Sequence, residues 1–247
     1  TIWNDALGKI QVKGNCEDSK TIFYTSLYRT YERMVCLSED GQYYSAFDNQ
    51  VHQDSGVPFY TDDWIWDTYR ATHPLRILLE PEREKYMIQS FIRMAGQMKH
   101  FWMPTFPEIT GDSRRMNSNH GVATVLDAYV KGIRTYDVEK AYRYAVNTSR
   151  HFGNDSLGYI PEPLSISTTL EYAYTDWCIS QVAQAMGKNE DARYFYEKGQ
   201  AYHNIFDKEK GWFRPRKADG SWVAWPENAR LKEWYGCIEA NSYQQGW

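Results

Sequence analysis

The chain has 247 residues, which is enough for one large domain with a buried core. Its formal net charge of -4 and its pI of about 5.9 provide no basic surface, so nucleic acids and anionic membranes are poor candidates as partners. Aromatic residues make up 16% of the chain, and tyrosine and tryptophan suit amphipathic ligands as well as a core.

No apolar run approaches the roughly 20 residues that a membrane-spanning helix needs. The four cysteines are scattered without a CxxC pair, which argues against a zinc site and leaves buried thiols or one disulfide open: Cys16, Cys36, Cys178 and Cys237. The chain starts at Thr1, and its last residues, EANSYQQGW, show no helix-ending pattern. We therefore expect a segment of a longer protein.

The apolar pattern is helical along the whole chain. It predicts helices, in chain order, over residues 19–34, about 62–79, about 82–102, 120–135, 137–150, 170–187 and 189–206, and a last helix from near Cys237. Ser19 is the candidate N-cap of the first helix. Polar loops are predicted at 38–59, 111–121 and 151–167, and turns or a short hairpin at 210–225.

Short turns and long polar loops alternate between these seven or eight predicted helices. This alternation is typical of a toroid of helical hairpins, in which the long loops lie together at one end and shape a ligand site. The sequence therefore predicts an all-α fold that contains a little over half of the helices of a complete (α/α)6 toroid.

The stretch TDDWIWDTYR, residues 61–70, combines acids, indoles and a guanidinium. If it is helical, Asp63, Trp66, Asp67 and Arg70 share one face, because positions three and four apart are neighbours. Such a face complements a sugar, whose hydroxyls pair with carboxylates and arginine and whose C–H face stacks on tryptophan. The alternative is an Asp67–Arg70 ion pair on a solvated face, with Trp66 at the edge of the core.

Glu239 follows a glycine at the predicted start of the last helix. A helix N-terminus stabilises the ionised carboxylate, whereas a general acid needs a raised pKa, which burial among apolar neighbours can supply. From the residues alone, Glu239 is either an ordinary carboxylate at a helix start or a catalytic acid.

The remaining candidates have simple structural explanations. Thr168 and Glu171 fit a capping box at a helix start, which explains Glu171 without a function. Asn119 and His120 lie ahead of a predicted helix, and such a histidine is usually structural. On the 170–187 helix, Tyr172 and Asp176 share a face and could reach a cavity.

Several segments together resemble glycoside hydrolase family 92. They are FYTSLYR (23–29), WIWDTYR with HPL (64–75), SNHGVATVLDAYVKG (118–132), TLEYAYTDW (169–177) and GCIEANSYQQGW (236–247). The resemblance implies an exo-acting, inverting, calcium-dependent α-mannosidase with an N-terminal β-sandwich followed by an (α/α)6 barrel. Residues 1–247 would be the first part of that barrel, and the sandwich and the remaining helices would lie outside this chain.

The same resemblance implies roles for individual residues. Glu239 matches the general acid, although the family's usual EGN reads EAN here. Asp67, with Trp66 beside it, matches the motif that binds the terminal mannose, and Arg70 shares their face. Three further residues match motif positions and are expected to contact substrate: Asn119, His120 and Asp176.

The family's general base is an aspartate well downstream, and part of the calcium site is expected there too. The resemblance therefore implies calcium without naming a metal ligand in this chain, and it implies that this chain alone is inactive. It also implies mannose-containing glycans as partners, the rest of the polypeptide as the completion of the barrel, and a periplasmic or secreted location. Two alternatives are a trehalase-like or glucoamylase-like toroid enzyme and a non-catalytic glycan-binding helical domain.

Overall fold

The computed structural model describes residues 1–117, 119–153 and 155–245. The described residues form nine α-helices: α1 (Ile2–Leu7), α2 (Glu17–Arg29), α3 (Ile65–Leu79), α4 (Pro81–Gln97), α5 (His120–Val130), α6 (Val138–Phe152), α7 (Ser165–Ala185), α8 (Asn189–Lys198) and α9 (Ser242–Gln245). Short 3-10 turns lie at Arg115–Asn117 and Ala201–Ile205.

Within the part of the chain that the structure describes, eight short strands pair as separate antiparallel ribbons: β1 (Val35–Cys36) with β4 (Tyr60–Thr61), β2 (Gln42–Ser45) with β3 (Gln50–Gln53), β5 (Pro107–Glu108) with β6 (Gly111–Asp112), and β7 (Phe206–Asp207) with β8 (Trp212–Phe213). These ribbons lie in the connections between helices. The predicted all-α class is therefore confirmed.

Six of the helices form a two-layer arc. Helices α3, α5 and α7 contact one another in series and form the inner layer, while α4, α6 and α8 pack outside them. The core lies between the layers and includes Phe91, Val125, Ile179 and Phe195, each of them fully buried. The outer helix α6 has one apolar stripe, whereas α7 is buried on most of its sides, as expected for an inner helix.

Local sequence explains where several helices begin and end. Pro81 starts α4, where its missing N–H costs nothing, and Asp137 caps α6 by accepting a hydrogen bond from the backbone of Lys140. Each inner helix begins after a long connection and ends in a short turn. The N-terminal ends of α3, α5 and α7 therefore lie on the side of the long loops.

A buried ionic network ties the start of α3 to α4. His73 lies between two carboxylates, with Nε2 2.7 Å from Asp63 Oδ2 and Nδ1 2.7 Å from Glu84 Oε1. Burial alone would lower the pKa of His73, but the charges of Glu84 and Asp63 outweigh it and raise that pKa to about 10. His73 is thus a buried imidazolium that donates from both ring nitrogens.

Some predicted boundaries are wrong. Helix α2 begins after Cys16 rather than at Ser19 and ends at Arg29, and α4 ends at Gln97. The predicted loop 38–59 contains the β2–β3 hairpin, in which Tyr43 and Ser45 point inward while their neighbours point outward. The polar residues of this segment concealed that alternation. The short hairpin predicted at 210–225 is confirmed by the bridge between Arg216 and Trp222.

All four cysteines are free thiols, so the alternative of a disulfide is wrong. Among the described residues, no helix combines the length and apolarity required to cross a membrane.

Candidate active site

The first turn of α3 carries Trp66 and Asp67, and Arg70 follows one turn later. Asp63 does not share their face as predicted, because the helix begins only at Ile65. Asp63 is instead fully buried and accepts a hydrogen bond from the Thr68 hydroxyl at 2.9 Å. Its side chain therefore supports the helix start from inside rather than facing a ligand.

Asp67 and Glu239 lie close together although they are far apart in sequence. Partial burial raises the pKa of the Asp67 carboxyl, and the negative charge of Glu239 raises it further, while Arg70 acts in the opposite direction. The residue matched to mannose binding and the residue matched to the general acid are therefore near enough for the charge of Glu239 to act on Asp67.

Glu239 is not at a helix start, because α9 begins only at Ser242. It lies in an exposed turn and has a φ of 47°, in the left-handed region. The segment before it is anchored on α7: Gly236 O accepts hydrogen bonds from the backbone N–H groups of Ile166 and Ser167, and the Ile238 N–H donates to Ser167 Oγ. The free N–H groups at the start of α7 thus hold the turn that carries Glu239.

Gly236 is required for this anchoring. Its φ is 74°, and an added Cβ would lie 2.8 Å from the ring of Pro215 and 3.2 Å from Ile166. Only glycine permits both the conformation and the close approach.

Glu171 lies in the second turn of α7, next to Trp66. Because α7 begins at Ser165, Thr168 is not its N-cap, and the predicted capping box is wrong. Glu171 is 5% exposed, and its Oε1 accepts a hydrogen bond of 3.0 Å from the indole N–H of Trp66. Burial raises the pKa of Glu171 to about 8, although Trp66 and Arg70 act against the shift. The side chain is therefore a neutral acid at pH 7.

His120 and Asn119 lie at the start of α5, between α3 and α7. The His120 ring stacks on Tyr69 with centroids 3.9 Å apart, and its Nε2 is 3.9 Å from Glu171 Oε2. Burial and the charge of Arg70 lower the pKa of His120 to about 3, so the imidazole is neutral. Asn119 is 1% exposed, and its Oδ1 forms no hydrogen bond with any residue that the structure describes.

Asp176 does not face this cluster. It accepts a hydrogen bond from Ser149 Oγ, and its Oδ2 is 3.8 Å from Lys198 Nζ. With Tyr172 it lines a separate cavity of about 480 Å³ between α7, α8 and the loop after α6, so these two residues reach a cavity as predicted. Burial raises the pKa of Asp176 to about 6.

The described residues contain no group of three or more histidine, cysteine, aspartate or glutamate side chains that could hold a metal ion. The described structure therefore identifies no metal ligand among these side chains.

Comparison with known proteins decides between the toroid families. The model of the glycosyl hydrolase family 92 catalytic domain matches residues 1–247. The chain belongs to glycoside hydrolase family 92. This assignment excludes the trehalase-like and glucoamylase-like alternatives.

Solved structures from family 92 have the same fold. The inverting mannosidase BT2199 of Bacteroides thetaiotaomicron is 31% identical with a TM-score of 0.87, and the α-mannosidase BT3965 of the same organism is 29% identical with a TM-score of 0.90. Each match covers 98% of this chain but 34% of the other chain. The chain thus spans about a third of the length of these enzymes.

A curated fungal relative is more distant. It is an uncharacterized secreted glycosidase of Arthroderma benhamiae, 26% identical over 192 residues that cover 62% of this chain and 24% of the relative.

Proposed function

We propose that this chain is the first part of the catalytic barrel of an exo-acting, inverting α-mannosidase that removes terminal mannose from glycans. The observation that carries the proposal is the electrostatic interaction between Asp67, in the first turn of α3, and Glu239, in the turn anchored on the start of α7. Family membership supports the hydrolase class, and the two Bacteroides mannosidases support mannose as the sugar.

In this proposal Glu239 is the general acid that protonates the leaving glycosidic oxygen. An exposed turn gives its carboxyl access to a bound glycan, and the anchoring of Gly236 on α7 limits where that carboxyl can move. Asp67 and Arg70 hydrogen-bond hydroxyls of the terminal mannose, and the Trp66 ring packs against its C–H face.

His120 and Asn119 complete the inner wall of the site. Neutral imidazole and amide groups can hydrogen-bond sugar hydroxyls without adding charge beside Asp67 and Glu239. The proposal leaves out Asp176, because its side chain lies on the opposite side of α7 and faces another cavity.

An inverting hydrolase also needs a general base, with the two carboxyl groups about 6.5–9.5 Å apart on opposite sides of the sugar ring. We place that base, and most of the ligands of calcium, outside this chain, in the helices that complete the six-hairpin barrel. Bound calcium would supply hard-cation coordination of sugar hydroxyls. A preceding β-sandwich and a secreted or periplasmic location complete the proposal, the latter supported by the secreted fungal relative.

The stereochemistry of the product tests the function. The full-length protein is incubated with an aryl α-mannoside, and the first sugar released is followed by proton NMR before it mutarotates; aryl α-glucoside is the control substrate. Initial release of β-mannose, with no glucose from the control, supports the proposal. Initial release of α-mannose contradicts inversion, and binding of mannosides without hydrolysis would instead favour a glycan-binding domain.

A further inference from the structure

Glu171 connects two inner helices at the end where the candidate active site lies. The indole N–H of Trp66 donates to Glu171 Oε1 at 3.0 Å, and the two residues are 105 positions apart in sequence. An indole has one donor and no acceptor, so this bond uses its entire hydrogen-bonding capacity. The bond therefore fixes the orientation of the Trp66 ring relative to α7.

Stability alone does not explain an acid at this position. Glu171 is 5% exposed, and no described residue hydrogen-bonds its Oε2. His120 Nε2 is 3.9 Å from that oxygen, beyond hydrogen-bond distance. Arg70 directs its Nε to the Tyr69 hydroxyl instead. A buried polar oxygen without a partner is unfavourable, so an apolar side chain of the same shape would suit the fold at least as well.

The electrostatics of the site also constrain the role of this carboxyl. The negative charge of Glu239 already acts on Asp67, the residue next to Trp66. Because burial keeps Glu171 protonated at neutral pH, it can accept the indole hydrogen bond without adding charge.

We propose that Glu171 is a positioning residue, which holds the Trp66 indole against α7 so that its ring face and the neighbouring Asp67 carboxylate meet the terminal sugar together. The proposal rests on the proposed mannosidase function. The stack of His120 on Tyr69 supports it, because this pair packs the start of α5 against α3 and places His120 Nε2 3.9 Å from Glu171 Oε2.

The contact itself is tested by NMR on the full-length protein. The indole N–H signal of Trp66 is assigned by its loss in Trp66→Phe, and its exchange with solvent is measured in Glu171→Gln, which keeps the acceptor, and in Glu171→Met, which removes it. Thr175→Val is the control on the same helix; its buried hydroxyl donates only to the backbone of Tyr172. We expect exchange at least tenfold faster in Glu171→Met alone.

The positioning role is tested by kinetics in the full-length enzyme. Glu171→Met should raise KM for an α-mannoside roughly tenfold, the effect of one hydrogen bond of about 1.4 kcal/mol, with kcat within about twofold. Glu171→Gln should restore KM to within about threefold of the parent, and Thr175→Val should leave it unchanged. In a Trp66→Phe background, Glu171→Met should change KM less than twofold, because the donor is already gone. The thermal midpoint of Glu171→Met should not fall.

Three results would overturn the role: an unchanged KM in Glu171→Met, a Gln variant as impaired as the Met variant, or an equal effect in the Trp66→Phe background. A parent enzyme that hydrolyses no mannoside would refute the proposed function, and the positioning role with it. If the parent enzyme hydrolyses mannosides and Glu171→Met leaves KM unchanged, the positioning role alone is refuted.

Discussion

Replacing His73 by leucine should destabilise the protein strongly. The imidazolium is 2% exposed and bonds Asp63 and Glu84, which are at most 1% exposed, at 2.7 Å from each ring nitrogen. His73→Leu keeps a similar volume but removes the cation that hydrogen-bonds both buried carboxylates, and leaves the charge of the neighbouring Arg76 to act on them. Breaking a buried ion pair by removing one partner costs about 3–5 kcal/mol, so we expect a loss of that size at pH 7.

The control is His52→Leu. His52 also contacts a carboxylate, with its Nε2 2.9 Å from Asp48, but its side chain is 31% exposed, so the expected loss is about 0–1 kcal/mol. Urea unfolding followed by tryptophan fluorescence gives both free energies of unfolding. Equal losses for the two variants would refute the assignment of His73 as a buried imidazolium.

The pH dependence of the same measurement has a defined sign. The pKa of His73 is raised in the folded protein to about 10, so its contribution to stability is complete below its ordinary pKa of about 6.5 and is lost as the pH rises toward 10. The difference in free energy of unfolding between wild type and His73→Leu should therefore become smaller between pH 6 and pH 10. A difference that stays constant or widens over this range would contradict the assignment.

Three further predictions concern the site. Asp67→Ala in the full-length enzyme should weaken mannoside binding by about 1.5–3 kcal/mol with little change in melting temperature, as inhibition constants and calorimetry would show; earlier melting with unchanged specific activity would return Asp67 to a structural role. Because burial raises the pKa of Glu171 to about 8, its contribution to stability is lost between about pH 4.5 and 8. The free energy of unfolding of Glu171→Gln, measured by urea titration, should therefore rise by up to about 3–5 kcal/mol relative to that of wild type over that pH range. A difference between the two proteins that does not change with pH would contradict this. This chain by itself should release no mannose even with calcium, because it contains no family-matching base; mannose release by the isolated chain would refute that inference.

The helical fold was predictable because periodicity and helix signals act locally. The alternation of short turns and long loops indicated the two layers, and the described helices confirm it. The errors lie at helix boundaries that are determined by tertiary contacts. Residues 31–34 continue the helical pattern in sequence, yet α2 ends at Arg29. The start of α7 at Ser165 is set by the Gly236 carbonyl, which bonds its first N–H groups from a distant segment.

The candidate site was predictable only in part. The mixture of residues around Asp67 indicated a sugar site, and the resemblance selected Glu239. Asp63 and Glu171 were misassigned because a one-turn error in a helix start changes which residues cap the helix and which face inward. The contact between Trp66 and Glu171 joins residues 105 positions apart, so no local pattern reveals it. A correct start for α7 would have placed Glu171 in mid-helix and marked it as a buried acid that needs an explanation.

The most direct test of the central claim compares two leaving groups in the full-length Glu239→Gln variant. If Glu239 is the general acid, kcat/KM for an unactivated mannoside should fall by about 10²–10⁴, the usual contribution of general acid catalysis. The loss should be much smaller for 2,4-dinitrophenyl α-mannoside, whose leaving group departs without protonation. An equal loss on both substrates, or no loss on either, would contradict the assignment of Glu239 as the acid of this site.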